Sequence, residues 1–411
     1  MKKNFSISIV KGTKWTLDIR YGKISQKLHI RPVRANIVKD EPYTWFQNYD
    51  MNTPPWCRTQ LKQVIANECT AGFALVPGSF QLTDKDGNVF ERDKDYYLDE
   101  EYGTFMRHPE GRIPENGPAF ASYLYFKSRL DSIVLTQDGL CEQRIGVEDI
   151  ATPHEPKLAR GEKRLANIYY TGHPEHLSDD MIFPVSNIKM PVSPACTDCL
   201  TKTLQKLKNG EHVRIIAWGD SVTEATYLEK NKRYQNIFAA ELQKRFPNAD
   251  IEMISFGWGG RNTCTFLAQP AGSQYNIKEH ILDLKPDLVI SEFVNDAGLK
   301  QNDFDKNYGT ILDMFRNAGI EWIILTPHYV KPSWMGLTEQ KNCTDDPRFY
   351  VQYARKYAAE NKIALADASA KYGYLWKKGI PYLAFMKNTI NHPDLRGMKL
   401  FVDALLECMG V

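Results

Sequence analysis

The stretch "RIIAWGDSVTEATYL", residues 214–228, decides how the C-terminal half is read. Arg214-Ile215-Ile216-Ala217-Trp218 is apolar enough for a short strand buried in a parallel sheet. The chain then turns at Gly219-Asp220-Ser221, and Thr223-Glu224-Ala225-Thr226 suits the approach to a helix. A serine on a strand-to-helix turn lies at the carboxyl edge of the sheet, where open α/β folds place their ligands. Taken alone, the segment fits an ordinary helix-capping serine just as well.

Working outward, strand and helix patterns alternate from about residue 212 to the end. The strands read "VRIIAWG", "DIEMISFG", "DLVISEFV", "EWIILTP" and "IALADAS"; between them lie helical stretches such as "RYQNIFAAELQKRF", "KEHILDL", "YGTILDMFRNAG" and "RFYVQYARKYAAENK". With "FVDALLECM" as a closing helix, residues 212–411 read as a flavodoxin-like, doubly wound parallel sheet. Residues 1–185 carry a different signal: short β patterns such as "FSISIV", "KWTLDIRYG" and "ASYLYFKSRLDSIVLT". Asp86-Gly87, set between Phe80-Gln81-Leu82 and Val89-Phe90, marks a hairpin. A jelly-roll-like antiparallel sandwich is the expectation there, joined by a Pro- and Ser-rich linker over 186–211. The fold class is therefore α/β preceded by an all-β sandwich domain.

Composition narrows the function. Of 411 residues, 43% are hydrophobic and 25% charged, as in a globular protein with ample core; the net charge of +2 argues against nucleic acid or an acidic membrane surface as partner. No stretch approaches the roughly 18 apolar residues of a membrane span. The start, "MKKNFSISIVKGTKWTLDI", lacks the apolar run of a signal peptide, so the cytoplasm is the expected location; a secreted chain already stripped of its signal would read the same. Eight cysteines in so long a chain do not suggest a disulfide scaffold.

With the sheet in place, the serine acquires company. The second strand ends in "SFGWGGRNT", where Gly257, Gly259 and Gly260 let the backbone approach a ligand; the third ends in "EFVNDAG", carrying Asn295 and Asp296. His392 stands in "NHPDLRGMKLF", just before the last helix. A hydroxyl, a base and oxyanion donors are what acyl transfer requires, and all converge on one sheet edge.

These four blocks, in this order, resemble the SGNH (GDSL-type) hydrolases, over about half the chain. The resemblance implies Ser221 as nucleophile and His392 as general base. It implies an oxyanion hole from the Ser221 N–H, the Gly260 N–H and the Asn295 side-chain amide, with no metal or cofactor. One position departs from the pattern. The family usually carries an aspartate three residues before the histidine, and here Thr389 stands there, with Asp394 the nearest carboxylate. A Ser-His dyad of this kind resembles some carbohydrate acetylesterases of the family, several of which carry an N-terminal β-sandwich. The expected orienting group for His392 is a neutral acceptor, a main-chain carbonyl of residues 388–390.

The preferred reading is thus a serine esterase that removes acetyl groups from a carbohydrate, its partner an acetylated oligosaccharide or small ester. A lipase or thioesterase, which would require an apolar groove, is one alternative. The other is a carbohydrate-binding protein on a degenerate hydrolase fold. An oligomer is compatible with either. Substrate-binding candidates are Trp258 beside the glycine block, and His328 and Trp334 in "LTPHYVKPSW". Trp45 and Trp56, in the aromatic run "EPYTWFQNYDMNTPPW", could stack on sugar rings or form a small loop core. Cys196-x-x-Cys199 with His173-x-x-His176 has zinc-ligand types but no supporting context, so no metal is expected. "DKDGN", residues 84–88, resembles the opening of a calcium loop, but its glycine comes too early; a hairpin tip is expected.

Overall fold

The computed structural model describes residues 5–411; the basic start, residues 1–4, lies outside them. The chain divides into two units. The first comprises residues 1–188 with two later stretches, 339–341 and 376–390; the second comprises 189–338, 342–375 and 391–411. Both later stretches lie in the half of the chain that the strand–helix alternation assigns to the α/β domain. Specific contacts hold them in the first unit: Lys341 Nζ donates to the carbonyls of Asp179 and Ile182, and the longer stretch has several ties. Asn388 Nδ2 donates to Glu68 at 2.7 Å, the Gly72 N–H donates to Thr389 Oγ1, and Asn167 Nδ2 donates to the Gly379 carbonyl. Ile390 is buried in a small cluster with Cys69 and Tyr102, against which Trp56 packs.

The first unit is antiparallel throughout its strands. Phe5–Ile9, Thr16–Tyr21 and Ile24–His29 form one sheet, and Cys141–Arg144, Arg129–Leu135, Lys163–Tyr170 and Ile182–Pro184 form another. Leu17 and Ile19 of the first share one core with Ile133, Ala166, Ile168 and Tyr170 of the second, so the two sheets make a sandwich. Smaller antiparallel sheets enclose a second core around Leu61, Leu82, Phe105 and Tyr123. The Asp86-Gly87 tip is a turn: Asp84 Oδ1 accepts from the N–H groups of Asp86 and Asn88, and Gly87 adopts φ +85°.

In the second unit five parallel strands, β1 (His212–Gly219), β2 (Asp250–Gly257), β3 (Leu288–Glu292), β4 (Glu321–Leu325) and β5 (Ala364–Ala366), lie in the order 2-1-3-4-5. This is the flavodoxin-like order, whose switch point falls between β1 and β3. Helices α1 (Tyr234–Arg245) and α4 (Leu395–Met409) pack together on one face. Helices α2 (Gln301–Asn317) and α3 (Phe349–Asn361) cover the other, where Phe304, Ile311 and Phe315 meet Ile216, Trp218 and Val289. The period explains α2: its buried residues Phe304, Tyr308, Ile311, Leu312 and Phe315 form one helical stripe. The expected helix at "KEHILDL" is only a single wide turn, Lys278–Leu282. No helix of the described residues is long and apolar enough to cross a membrane.

Candidate active site

Parallel register brings the motif loops together. Gly219 pairs with Gly257 on β2 and with Glu292 on β3, so all three strands end side by side. Ser221 then opens a one-turn helix, Ser221–Glu224, capped by Asp220 through the Val222 N–H. The crossing is tight enough to demand glycine. A side chain at Gly219 would collide with the Glu292 carbonyl and Thr223 Oγ1, and one at Gly257 with the backbone of Glu224. Gly259 donates to Glu224 Oε2 at 2.9 Å, and a Cβ built on it would stand 3.8 Å from Ser221 Cβ. Gly260, beyond it, takes φ +72° with open space around its missing side chain.

The expected nucleophile and base come together. His392 Nε2 lies 3.0 Å from Ser221 Oγ, within reach for an imidazole to take the hydroxyl proton. The His392 ring stacks on Tyr227 with centroids 4.4 Å apart and planes 2° apart, a contact no spacing in the sequence announces. Asn295 is fixed by Asp220: its backbone N–H and its Nδ2 both donate to Asp220 Oδ2, at 2.9 and 3.0 Å. One amide hydrogen of Asn295 is thereby used and the second remains to be aimed elsewhere.

Beneath this edge lie three fully buried carboxyls, Asp220, Glu292 and Asp296. Burial pushes Asp220 up to about 6, against the Val222 and Asn295 N–H donors and the charge of His392. Burial likewise takes Asp296 to about 7, although the Thr263 N–H, the Thr263 hydroxyl and Tyr308 OH all bond to it. Glu292 is held well above the usual carboxylate range by burial and then by Asp220. No side chain among the described residues hydrogen-bonds to either of its oxygens.

Two side chains close to His392 in sequence, Thr389 and Asp394, are engaged elsewhere. Thr389 Oγ1 accepts the Gly72 N–H within the first unit. Asp394 caps α4, one oxygen accepting from the N–H groups of Arg396 and Gly397 and the other from the Arg396 guanidinium.

The substrate-binding candidates fare differently. His328 does not line an open pocket: it is fully buried, and its Nε2 lies 2.7 Å from the Asn391 carbonyl oxygen. A polar residue in a loop after a strand reads as accessible, and only its partner far along the chain shows otherwise. Trp258 offers no free face, because Tyr275 stacks on it at 3.8 Å and the Arg261 guanidinium sits over the ring at 5.0 Å. Trp334 is 46% exposed. In the first unit Trp45 is exposed, Trp56 packs on Tyr102, and Tyr43 and Phe46 belong to the core, so that aromatic run is mostly structural. His173 and His176 belong to the first unit and Cys196 and Cys199 to the second. A groove of about 700 Å³ in the first unit is lined by Phe73, Glu100, Glu101, His173, His176 and Ser178 among others.

Residues 217–400 match the family model of the GDSL-like lipase/acylhydrolase family, a span that includes Ser221, Gly260, Asn295 and His392. No curated protein matches the chain. Among solved structures, a two-domain esterase active on acetylated mannans, co-crystallized with mannopentaose, is 19% identical with a TM-score of 0.42, covering 52% of this chain and 53% of its own. The match thus spans about half the length of that two-domain protein. A variant of an acetyl xylan esterase from Geobacillus stearothermophilus is 18% identical, with a TM-score of 0.39, 48% of this chain and 94% of its own covered. A member of the lipolytic G-D-S-L family from Veillonella parvula gives 18%, 0.36, 48% and 98% in the same measures.

Proposed function

We propose that the protein is a serine esterase that removes acetyl groups from a carbohydrate through an acyl-enzyme on Ser221. The observation that carries the reading is the 3.0 Å contact between Ser221 Oγ and His392 Nε2, beside an asparagine locked in place by Asp220. Ser221 Oγ attacks the ester carbonyl while His392 Nε2 takes its proton. Negative charge on the carbonyl oxygen is met by the Ser221 N–H, the Gly260 N–H and the remaining Asn295 amide hydrogen. Collapse breaks the bond to the sugar oxygen, which leaves with the proton held by His392. Water, deprotonated by His392, then attacks the acetyl-serine and releases acetate and free Ser221.

Two features support a small acyl group on a polar substrate. The dyad without a preceding aspartate resembles that of carbohydrate acetylesterases. A long-chain lipase needs an exposed apolar groove. Among the described residues of the second unit, the large apolar side chains that stand exposed are Val192, Trp334 and Phe349, none of them in the loops that carry Ser221, Gly260, Asn295 or His392. The test is acetate release from acetylated oligosaccharides, with 4-nitrophenyl esters of rising chain length alongside. Cleavage confined to acetyl is expected. A preference for long chains would make the protein a lipase or thioesterase, and silence on every ester would leave a binding protein.

A further inference from the structure

We propose that His328 is a positioning residue, holding the peptide that leads into His392 so that the imidazole faces Ser221. The inference rests on the reading of His392 as the general base. The carbonyl that His328 grips, that of Asn391, belongs to the peptide unit joining Asn391 to His392, so its direction sets the plane from which His392 departs. A carbonyl oxygen can only accept. His328 Nε2, 2.7 Å away, therefore carries the hydrogen, and Nδ1 is the bare nitrogen.

The donor is permanent. His328 is fully buried, and burial together with the neighbouring Arg348 guanidinium keeps the ring neutral by holding it well below the ordinary histidine range. Its Nδ1 has no hydrogen-bond partner among the described residues, as a neutral ring with its proton on Nε2 allows. The backbone of His328 is anchored too: Arg348 Nη2 donates to the His328 carbonyl at 2.7 Å. Arg348 in turn is fixed by Asp346, which also accepts from Ser369. On the far side of His392 the chain is fixed by Asp394, which caps the start of α4. A buried chain from Asp346 to His328 thus fixes one flank of the base and a helix cap fixes the other. His328 is tied to this loop through its hydrogen bond to the Asn391 carbonyl, and it acts through that bond.

The experiment compares three variants of the full chain on 4-nitrophenyl acetate. His328→Leu fills the space without a donor, His328→Gln can place an N–H where Nε2 stands, and His328→Asn is too short to reach. The expected result is a fall in kcat of roughly 10–100-fold for Leu and Asn, with KM within about twofold, and recovery to within about threefold for Gln. Hydrogen exchange of the peptide spanning residues 391–397 should quicken in the Leu and Asn variants and return to the wild-type rate in Gln. Should His328→Leu fail to fold, the Gln/Asn pair, both polar amides, decides alone. Wild-type kcat in the Asn variant, or equal loss in Asn and Gln, overturns the inference. Ser221→Ala and His392→Ala run beside them: activity retained in those two would refute the esterase reading itself, a separate failure.

Discussion

Replacing Asp296 by asparagine should change how the second unit's stability depends on pH. Asp296 is fully buried at the carboxyl end of β3, and burial lifts it to about 7, whereas an aspartate in the unfolded chain titrates near about 4. Between those values the folded protein keeps a proton that the unfolded chain has released. Stability therefore falls as pH rises, at about 1.4 kcal/mol per pH unit for one such group. The contribution is fully present below about pH 4 and is gone above about pH 7, in all about 4 kcal/mol. Asp220, raised to about 6, and Glu292 act in the same direction. In Asp296→Asn the side chain is neutral at every pH, and its oxygen can still accept from Thr263. The assay is urea unfolding at a series of pH values from 4 to 8. It is followed by helical circular dichroism, which reports mainly on the second unit because the first is largely strand. Wild type minus variant should show a slope of one proton across that window. An identical slope in the two proteins would refute the assignment of Asp296 as a neutral buried acid.

Further outcomes follow from the same geometry. Ser221→Ala should abolish ester hydrolysis with the fold intact, and His392→Ala should lower kcat by a factor on the order of 10³ or more, both read by steady-state acetate release. Asn295→Ala should lower kcat by roughly 10²–10³ and leave KM nearly unchanged, since the charge it meets develops only in the transition state; a change confined to KM would place it in substrate binding. Thr389→Ala should cost less than about tenfold in kcat, because its hydroxyl is committed to the Gly72 N–H, while thermal unfolding of the first unit should come earlier.

What the sequence discloses of the fold is what repeats or alternates locally. The five strands are legible because each is an apolar run that ends in a turn, and the serine, glycine and asparagine loops are legible because each follows such a run. Long-range partners are not. The stretch 376–390 carries no mark that it packs in the first unit; its ties are single pairs such as Asn388 with Glu68 and Asn167 with Gly379. Trp258 reads as a platform until Tyr275 covers it. Glu292 stands at a strand end with no sign in the sequence that it is fully buried, where burial pushes it well above the usual carboxylate range. In each case the deciding contact comes from a residue whose distance along the chain has no period.

The missing aspartate can be reconsidered in these terms. In a triad one carboxylate does two things: it holds the imidazole in place, and it offsets the positive charge that the ring gains when it takes the serine proton. On the proposed reading these tasks are divided. Placement falls to the stacked Tyr227 ring, to the cap at Asp394 and to the His328 grip on Asn391. Charge compensation falls to Asp220, the residue before the nucleophile. Burial lifts it to about 6 while the charge of His392 draws it down, so it is mostly ionised at neutral pH. Asp220 also orients Asn295, so one buried carboxylate acts on both the base and the oxyanion donor. An aspartate at position 389 would have to give up the Gly72 contact to reach His392. Thr389→Asp is therefore expected to weaken the first unit without raising kcat. A kcat above wild type in that variant, measured on 4-nitrophenyl acetate, would show that the two tasks were never divided in this way.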